Sequence, residues 1–143
     1  MKNTFSGRRG SFPPLLHLTY VLQQLSDDTL NAQAGVGLSQ ARIMSVLGTS
    51  APISQSAAAF YLNQTEANVS RQLQTMKRAG LVKITKNKKD GRQRDVLLTT
   101  KGQTRYQKAQ KILKKQQNEF LKMLNQGEAD MLDYAAQKLS KQL

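Results

Sequence analysis

The sequence predicts a mainly α-helical fold carrying one small β-hairpin. Three observations predict it. Apolar residues recur at helical spacing over most of the chain. One short stretch, 81–99, switches to β-branched runs on either side of a Gly-containing turn. The 143 residues include no cysteine, so the core must be a packed apolar one, without disulfide support.

Pro13 and Pro14 open the first helix, because proline is tolerated in a first turn. Leu15, Leu18, Leu22 and Leu25 follow on one face. Asp27 and Asp28 are expected near its end as loop or cap residues, with Asn31 to Gly37 as a small-residue connector. Ser39 is expected to cap a second helix containing Ile43, Val46 and Leu47, broken by the segment from Gly48 to Pro52. Ser54 is expected to cap a short third helix whose alanines allow close approach of a neighbour. After a turn at Asn63 and Gln64, Thr65 caps a fourth helix that ends at Gly80, where glycine suits a left-handed C-terminus.

The segments 81–85 and 95–99 read as two strands, with a basic link at 86–94 and Asp90-Gly91 at the tip. A long helix is expected from Thr100 to Asn125, with Tyr106, Ala109, Ile112, Leu113, Phe120, Met123 and Leu124 on or near one stripe. Gly127 is expected to interrupt it before a last helix carrying Met131, Leu132, Ala135 and Leu139. A short helix, a tight turn, a second helix and a β-hairpin make a winged helix-turn-helix. The expected organisation is a flexible basic tail at 1–11 with Arg8 and Arg9, a winged helix-turn-helix domain at 38–102, and flanking helical regions at 12–33 and 103–143. The apolar surplus on those flanking helices marks them as dimerisation helices.

Charge is concentrated in one place. The chain has 22 Lys plus Arg against 9 Asp plus Glu, a net charge of +13. Residues 71–115 hold 15 of those bases and 2 of the acids, so the remainder of the chain is balanced. A focused basic region attracts polyanions, and with this layout the expected partner is double-stranded DNA rather than a merely solubilising environment.

The fourth helix supplies the detail. Val69, Leu73 and Met76 share a face at i, i+4, i+7. The opposite face carries Ala67, Arg71, Gln74, Thr75 and Arg78, with Asn68 at its edge and no carboxylate. Arg and Asn are the side chains that pair with guanine and adenine edges, and a small methyl suits thymine. Arg71 and Asn68 are the expected base readers. Ser54, Gln55, Ser70 and Lys77 are expected on phosphates, and Thr65 sits at the same helix start. In the hairpin, Lys86, Lys88, Lys89, Arg92 and Arg94 project together, with Arg92 the expected minor-groove insertion and Asp90 paired with an arginine.

Other chemistry finds little footing. One histidine, His17, and no cysteine preclude a multi-histidine or thiolate zinc site within the chain. There is no phosphate loop, no nucleophile elbow and no acid cluster for a nuclease, so no enzyme activity and no cofactor are expected. No apolar run approaches a membrane span, and the first residues lack a signal-peptide stretch, so a cytoplasmic location is expected.

The stretch from Ser39 to Gly102 resembles the MarR family of bacterial regulators. Gly80-Leu81-Val82 follows the fourth helix as in that family, Asp90-Gly91-Arg92 matches its Asp-x-Arg wing signature, and Leu98-Thr99-Thr100-Lys101-Gly102 matches its Leu-Thr-x-x-Gly step. The flanking helices extend the resemblance to nearly the whole chain. It implies a homodimer built from the first, fifth and sixth helices, binding a pseudo-palindromic operator, usually as a repressor. It also implies a small anionic or phenolic ligand, for which the matching positions are His17, Tyr20 and Met44; such residues on amphipathic helices are more often core or interface. A low-specificity architectural protein, with the wing and long helix coating DNA, is the alternative that the net charge leaves open.

Overall fold

The computed structural model describes residues 12–49 and 52–143, and the predicted basic tail at 1–11 lies outside them. Helix α1 (Pro14–Ala34) has Pro in its first turn and closes on Gly35 in the left-handed conformation, φ 64°. It therefore runs two turns beyond Asp27 and Asp28, and the expected connector 31–37 shrinks to 35–37. Asn31 is held within the helix by bonds from its amide to the Asp27 carbonyl and carboxylate. Asp27 still acts as a cap, but for the next helix: its Oδ1 accepts the Leu38 amide at 2.7 Å. That bond starts α2 (Leu38–Thr49) at Leu38, so Ser39 lies in the first turn rather than at the cap. Gly48 is helical too, contrary to the expected break there. A Cβ at this position would meet Tyr106 Cε1 at 3.0 Å, so glycine lets the long helix that carries Tyr106 come close.

Strand β1 (Ile53–Ser54) leads into α3 (Gln55–Leu62), with Ser54 Oγ accepting the Ala57 amide at 3.1 Å. Asn63 closes α3 in the left-handed conformation, and Thr65 caps α4 (Glu66–Arg78) by accepting the Asn68 amide. Strands β2 (Val82–Lys86) and β3 (Arg94–Leu98) form the antiparallel wing, in register from Val82 opposite Leu98 to Lys86 opposite Arg94. The sheet has three strands rather than two, because β1 pairs on the other edge of β3, with Ile53 opposite Val96. A two-residue strand has no periodicity to read.

Helix α5 (Thr100–Leu121) ends four residues short of the expected Asn125, and α6 (Gln126–Ser140) follows at once. Gly127 does not interrupt anything; it lies in the first turn of α6. The break comes from a capping box, in which Asn125 accepts the Glu128 amide and Glu128 accepts the Asn125 amide. Such reciprocal bonds satisfy two amide donors that a helix start otherwise leaves open.

The core joins α2, α3, α4 and the sheet to the C-terminal part of α1. Leu30, Val36, Ile43, Met44, Val69, Leu73, Met76 and Val96 are its largest fully buried side chains. Ala109 of α5 closes it, and Arg105 donates to the Ala34 carbonyl at 2.7 Å, tying α5 to the end of α1. By contrast, Leu15, Leu16, Leu18, Met131, Leu132 and Leu139 remain exposed on α1 and α6. None of the described helices is long and apolar enough to cross a membrane.

Candidate nucleic-acid interface

Helix α4 presents two unlike faces. Val69, Leu73 and Met76 are fully buried, which fixes the rotation of the helix about its axis. That rotation leaves Ala67, Arg71, Gln74, Thr75, Lys77 and Arg78 exposed, with Asn68 and Ser70 half-buried at the margins. The Arg71 and Arg78 side chains meet no carboxylate among the described residues; Arg78 Nη2 lies 3.5 Å from Thr75 Oγ1, which in turn donates to the Arg71 carbonyl. Asn68 donates to Gln64 Oε1 at 3.0 Å, so one side of its amide is already engaged. Glu66 occupies the first turn, where a carboxylate favours the helix dipole. The next acid along the chain is Asp90.

The position of α4 relative to the wing is set by a compact joint. Gly80, at φ 75°, turns the chain out of α4, and its amide bonds the Lys77 carbonyl. Thr99 then works three ways. Its amide donates to the Leu81 carbonyl at 3.0 Å, its hydroxyl donates to the Gly80 carbonyl at 2.6 Å, and the same oxygen caps α5 by accepting the Gly102 amide. Lys101 Nζ adds a bond to the Ala79 carbonyl at 2.8 Å. A Cβ on Gly102 would collide with the Leu81 carbonyl oxygen, so this step needs glycine for room. The Leu98 to Gly102 segment thus holds the end of α4, the base of the wing and the start of α5 together.

The wing loop is built differently from the expected tight hairpin. Gly91 does not have positive φ, and the turn is closed by the Gln93 amide on the Asp90 carbonyl, inside a wider Asn87 to Gln93 bond. Among the described residues Asp90 pairs with no arginine side chain. Its Oδ1 accepts the Arg92 backbone amide at 3.0 Å, which shapes the loop and leaves the guanidinium free to project. Asn87 is the organiser that sequence patterning missed. Its Oδ1 accepts the Lys89 and Asp90 amides, while its Nδ2 reaches both carboxylate oxygens of Asp95. An Asn that satisfies amides two and three residues on is a known turn-forming device, and its place at the end of a strand was the available signal. Lys88, Lys89, Arg92 and Arg94 are all exposed on this frame.

The remaining expected positions fall in three groups. Ser54, Gln55 and Thr65 lie at the starts of α3 and α4, where the Ser54 and Thr65 hydroxyls are used as caps. His17 and Tyr20 are exposed on the N-terminal half of α1. Met44, by contrast, is fully buried in the core. The groove between α1, α5 and α6 is lined instead by residues such as Leu15, Leu18, Leu22, Phe120 and Leu132.

The sequence profile of the MarR family matches residues 34–93, from the end of α1 to the last residue before β3. Over this segment the chain is similar to the MarR family. No curated protein matches it by sequence. Solved MarR-like structures superpose over nearly its whole length. A MarR-like protein of Bacillus cereus is 25% identical, with a TM-score of 0.78, over 90% of this chain and 92% of that one. MepR of S. aureus, solved with DNA, is 20% identical with a TM-score of 0.77, over 90% and 95%. PcaV of Streptomyces coelicolor, solved with its natural ligand, is 17% identical with a TM-score of 0.75, over 92% and 93%. The MarR-family match covers α2, α3, α4 and the wing loop, and the structural likeness extends the shared fold to α1, α5 and α6.

Proposed function

We propose that this MarR-like chain is a sequence-specific DNA-binding transcription regulator, acting as a homodimer that represses from a pseudo-palindromic operator. The observation that carries this reading is the exposed face of α4. It offers Arg71, Gln74, Thr75 and Arg78 with no acid, on a helix whose rotation is fixed by three buried side chains and whose neighbour is a wing of free cations. Arg71 is positioned as a base reader in a major groove, and Arg92 as a minor-groove or backbone contact. MepR, solved on DNA, has the same fold, which supports the reading by analogy.

The homodimer rests on the apolar surfaces of α1 and α6. Leu15 is 59% and Met131 66% exposed in the single chain, beside a groove of about 490 Å³ between α1, α5 and α6. Contiguous exposed apolar residues of this extent mark a protein interface, and two-fold symmetry would place two α4 helices one duplex turn apart. Release from DNA by a small ligand is a further part of the proposal; of its expected contacts, His17 and Tyr20 are exposed on α1 and Met44 is fully buried.

Fluorescence anisotropy of the protein on DNA from its own upstream region, against scrambled DNA, tests this across a salt series. A regulator holds its site at least ~10³ more tightly than random sequence at physiological salt. Equal binding to operator candidates drawn from the whole genome and to scrambled DNA, lost together as salt rises, would replace it with the architectural alternative.

A further inference from the structure

The geometry points to a second DNA-binding surface on this chain, a lysine ridge along α5 that holds a duplex backbone without reading sequence. The inference rests on the proposed DNA-binding function and adds a surface outside α4 and the wing. Lys101, Lys108, Lys111, Lys115 and Lys122 fall within an arc of about 80° at 3.6 residues per turn. All five are exposed, and Lys122 retains helical geometry as the C-cap. The adjoining flank of α5 is fixed: Ala109 is buried, Arg105 bonds the Ala34 carbonyl, and Gln116 bonds both Ser26 and Thr29 of α1. The ridge is therefore a set orientation, not one of many.

These charges are not compensated by the fold. Asp27 caps α2, Asp90 shapes the wing loop, Asp95 holds Asn87, and Glu128 completes the α6 capping box. Asp130 and Asp133 accept from Gln126 and Gln137. Only Glu119 shares the arc. Among the described residues the last four lysines have no carboxylate partner, while Lys101 donates to the Ala79 carbonyl. Lys108 with Lys111, and Lys111 with Lys115, stand three and four residues apart, where like charges oppose helix formation. A face selected for solubility would interleave signs. This one sets five lysines against the single acid Glu119, and its like-charge neighbours come at a cost to the helix.

The shape fits a duplex. Lys101 to Lys122 spans about 32 Å along the axis, close to one turn of DNA. Beyond Arg105 the ridge leaves α4 and runs along α1, so its distal lysines do not belong to the α4 surface. Ammonium groups act as point charges and lack the planar fork that reads guanine edges, so the ridge follows phosphates alone. No apolar side chain lies within the arc, and a membrane-binding helix needs one beside its cations.

The test uses the full chain carrying K108Q, K111Q, K115Q and K122Q together, with circular dichroism showing that it folds. The probes are a random 30-base-pair duplex and vesicles of 70% phosphatidylcholine and 30% phosphatidylserine. Four lost phosphate contacts should flatten the slope of log affinity against log salt by about 3 to 4. In an R71A/R92A background, residual binding to the random duplex should persist, and adding the four Gln substitutions should abolish it. An unchanged slope, or residual binding indifferent to the four substitutions, would overturn the ridge while leaving the α4 reading intact. Vesicle binding lost with the lysines while duplex binding stays unchanged would overturn it in favour of a lipid surface. Failure of the wild-type protein to bind any duplex would remove the DNA-binding function and the ridge together.

Discussion

Replacing Gly102 by alanine should destabilise the protein more than its size suggests. The new methyl would sit well inside van der Waals contact of the Leu81 carbonyl oxygen, and Leu98 Cδ2 lies 3.2 Å away. Backbone, unlike the tip of a long side chain, cannot swing aside. Overpacking of this kind costs about 1–3 kcal/mol. The displaced carbonyl is also the acceptor of the Thr99 amide, and losing that bond adds about 1 kcal/mol. The sum, about 2–4 kcal/mol, is a large share of a typical stability of roughly 5–15 kcal/mol. With an unfolding entropy of about 0.3 kcal/mol/K for a chain this long, Tm should fall by about 7–13 °C. Thermal circular dichroism at one fixed protomer concentration reads it, since self-association would shift Tm with concentration. Gly127→Ala is the control: its added Cβ would meet only Asn125 Oδ1, at 3.5 Å, so alanine should be neutral or stabilising by about 0.5–1 kcal/mol. A Gly102→Ala melt within about 2 °C of wild type would refute the steric argument.

Four further outcomes follow from the same geometry. Arg71→Ala should cost about 1–3 kcal/mol on the preferred site and relax preference at one base pair, read by binding to a set of single-substitution duplexes. Arg92→Ala should weaken all duplexes alike and lower the salt slope by about 1, so a selective loss on one sequence would show that it reads a base. Asn87→Ala removes four bonds that shape the wing loop; faster amide exchange at Lys89 and Asp90 with an unchanged core is expected, and unaltered exchange would mean the loop is held some other way. Leu18→Glu with Leu132→Glu should shift the sedimentation coefficient from dimer to monomer, whereas an unchanged value would place the interface elsewhere.

Where a periodicity extended over two turns or more, the sequence alone was sufficient. The buried row of α4 was legible because Val69, Leu73 and Met76 are spaced for one face, and its exposed row follows by geometry. The caps at Ser54 and Thr65 were equally legible, since each oxygen acts on an amide three residues away. Resemblance to the MarR family rested on contiguous residues, Leu98 to Gly102, whose reason is visible only in space: Thr99 and Gly102 both answer to carbonyls near residue 80.

Tertiary structure decided what depends on partners distant in sequence or on local competition between weak signals. Strand β1 exists because Ile53 finds Val96, 43 positions away. Asp27 became a cap for α2 because α1 continued past it to Gly35, which no local propensity required. Asp90 faced a choice between a nearby arginine side chain and a backbone amide, and the amide two residues on costs less ordering. Met44 lies fully buried, and which apolar residues of α2 face the core was settled by its packing partners. The α5 lysines share one arc by helical periodicity alone; that this arc faces away from the core is decided by the packing of Ala109 and the Gln116 bonds to α1.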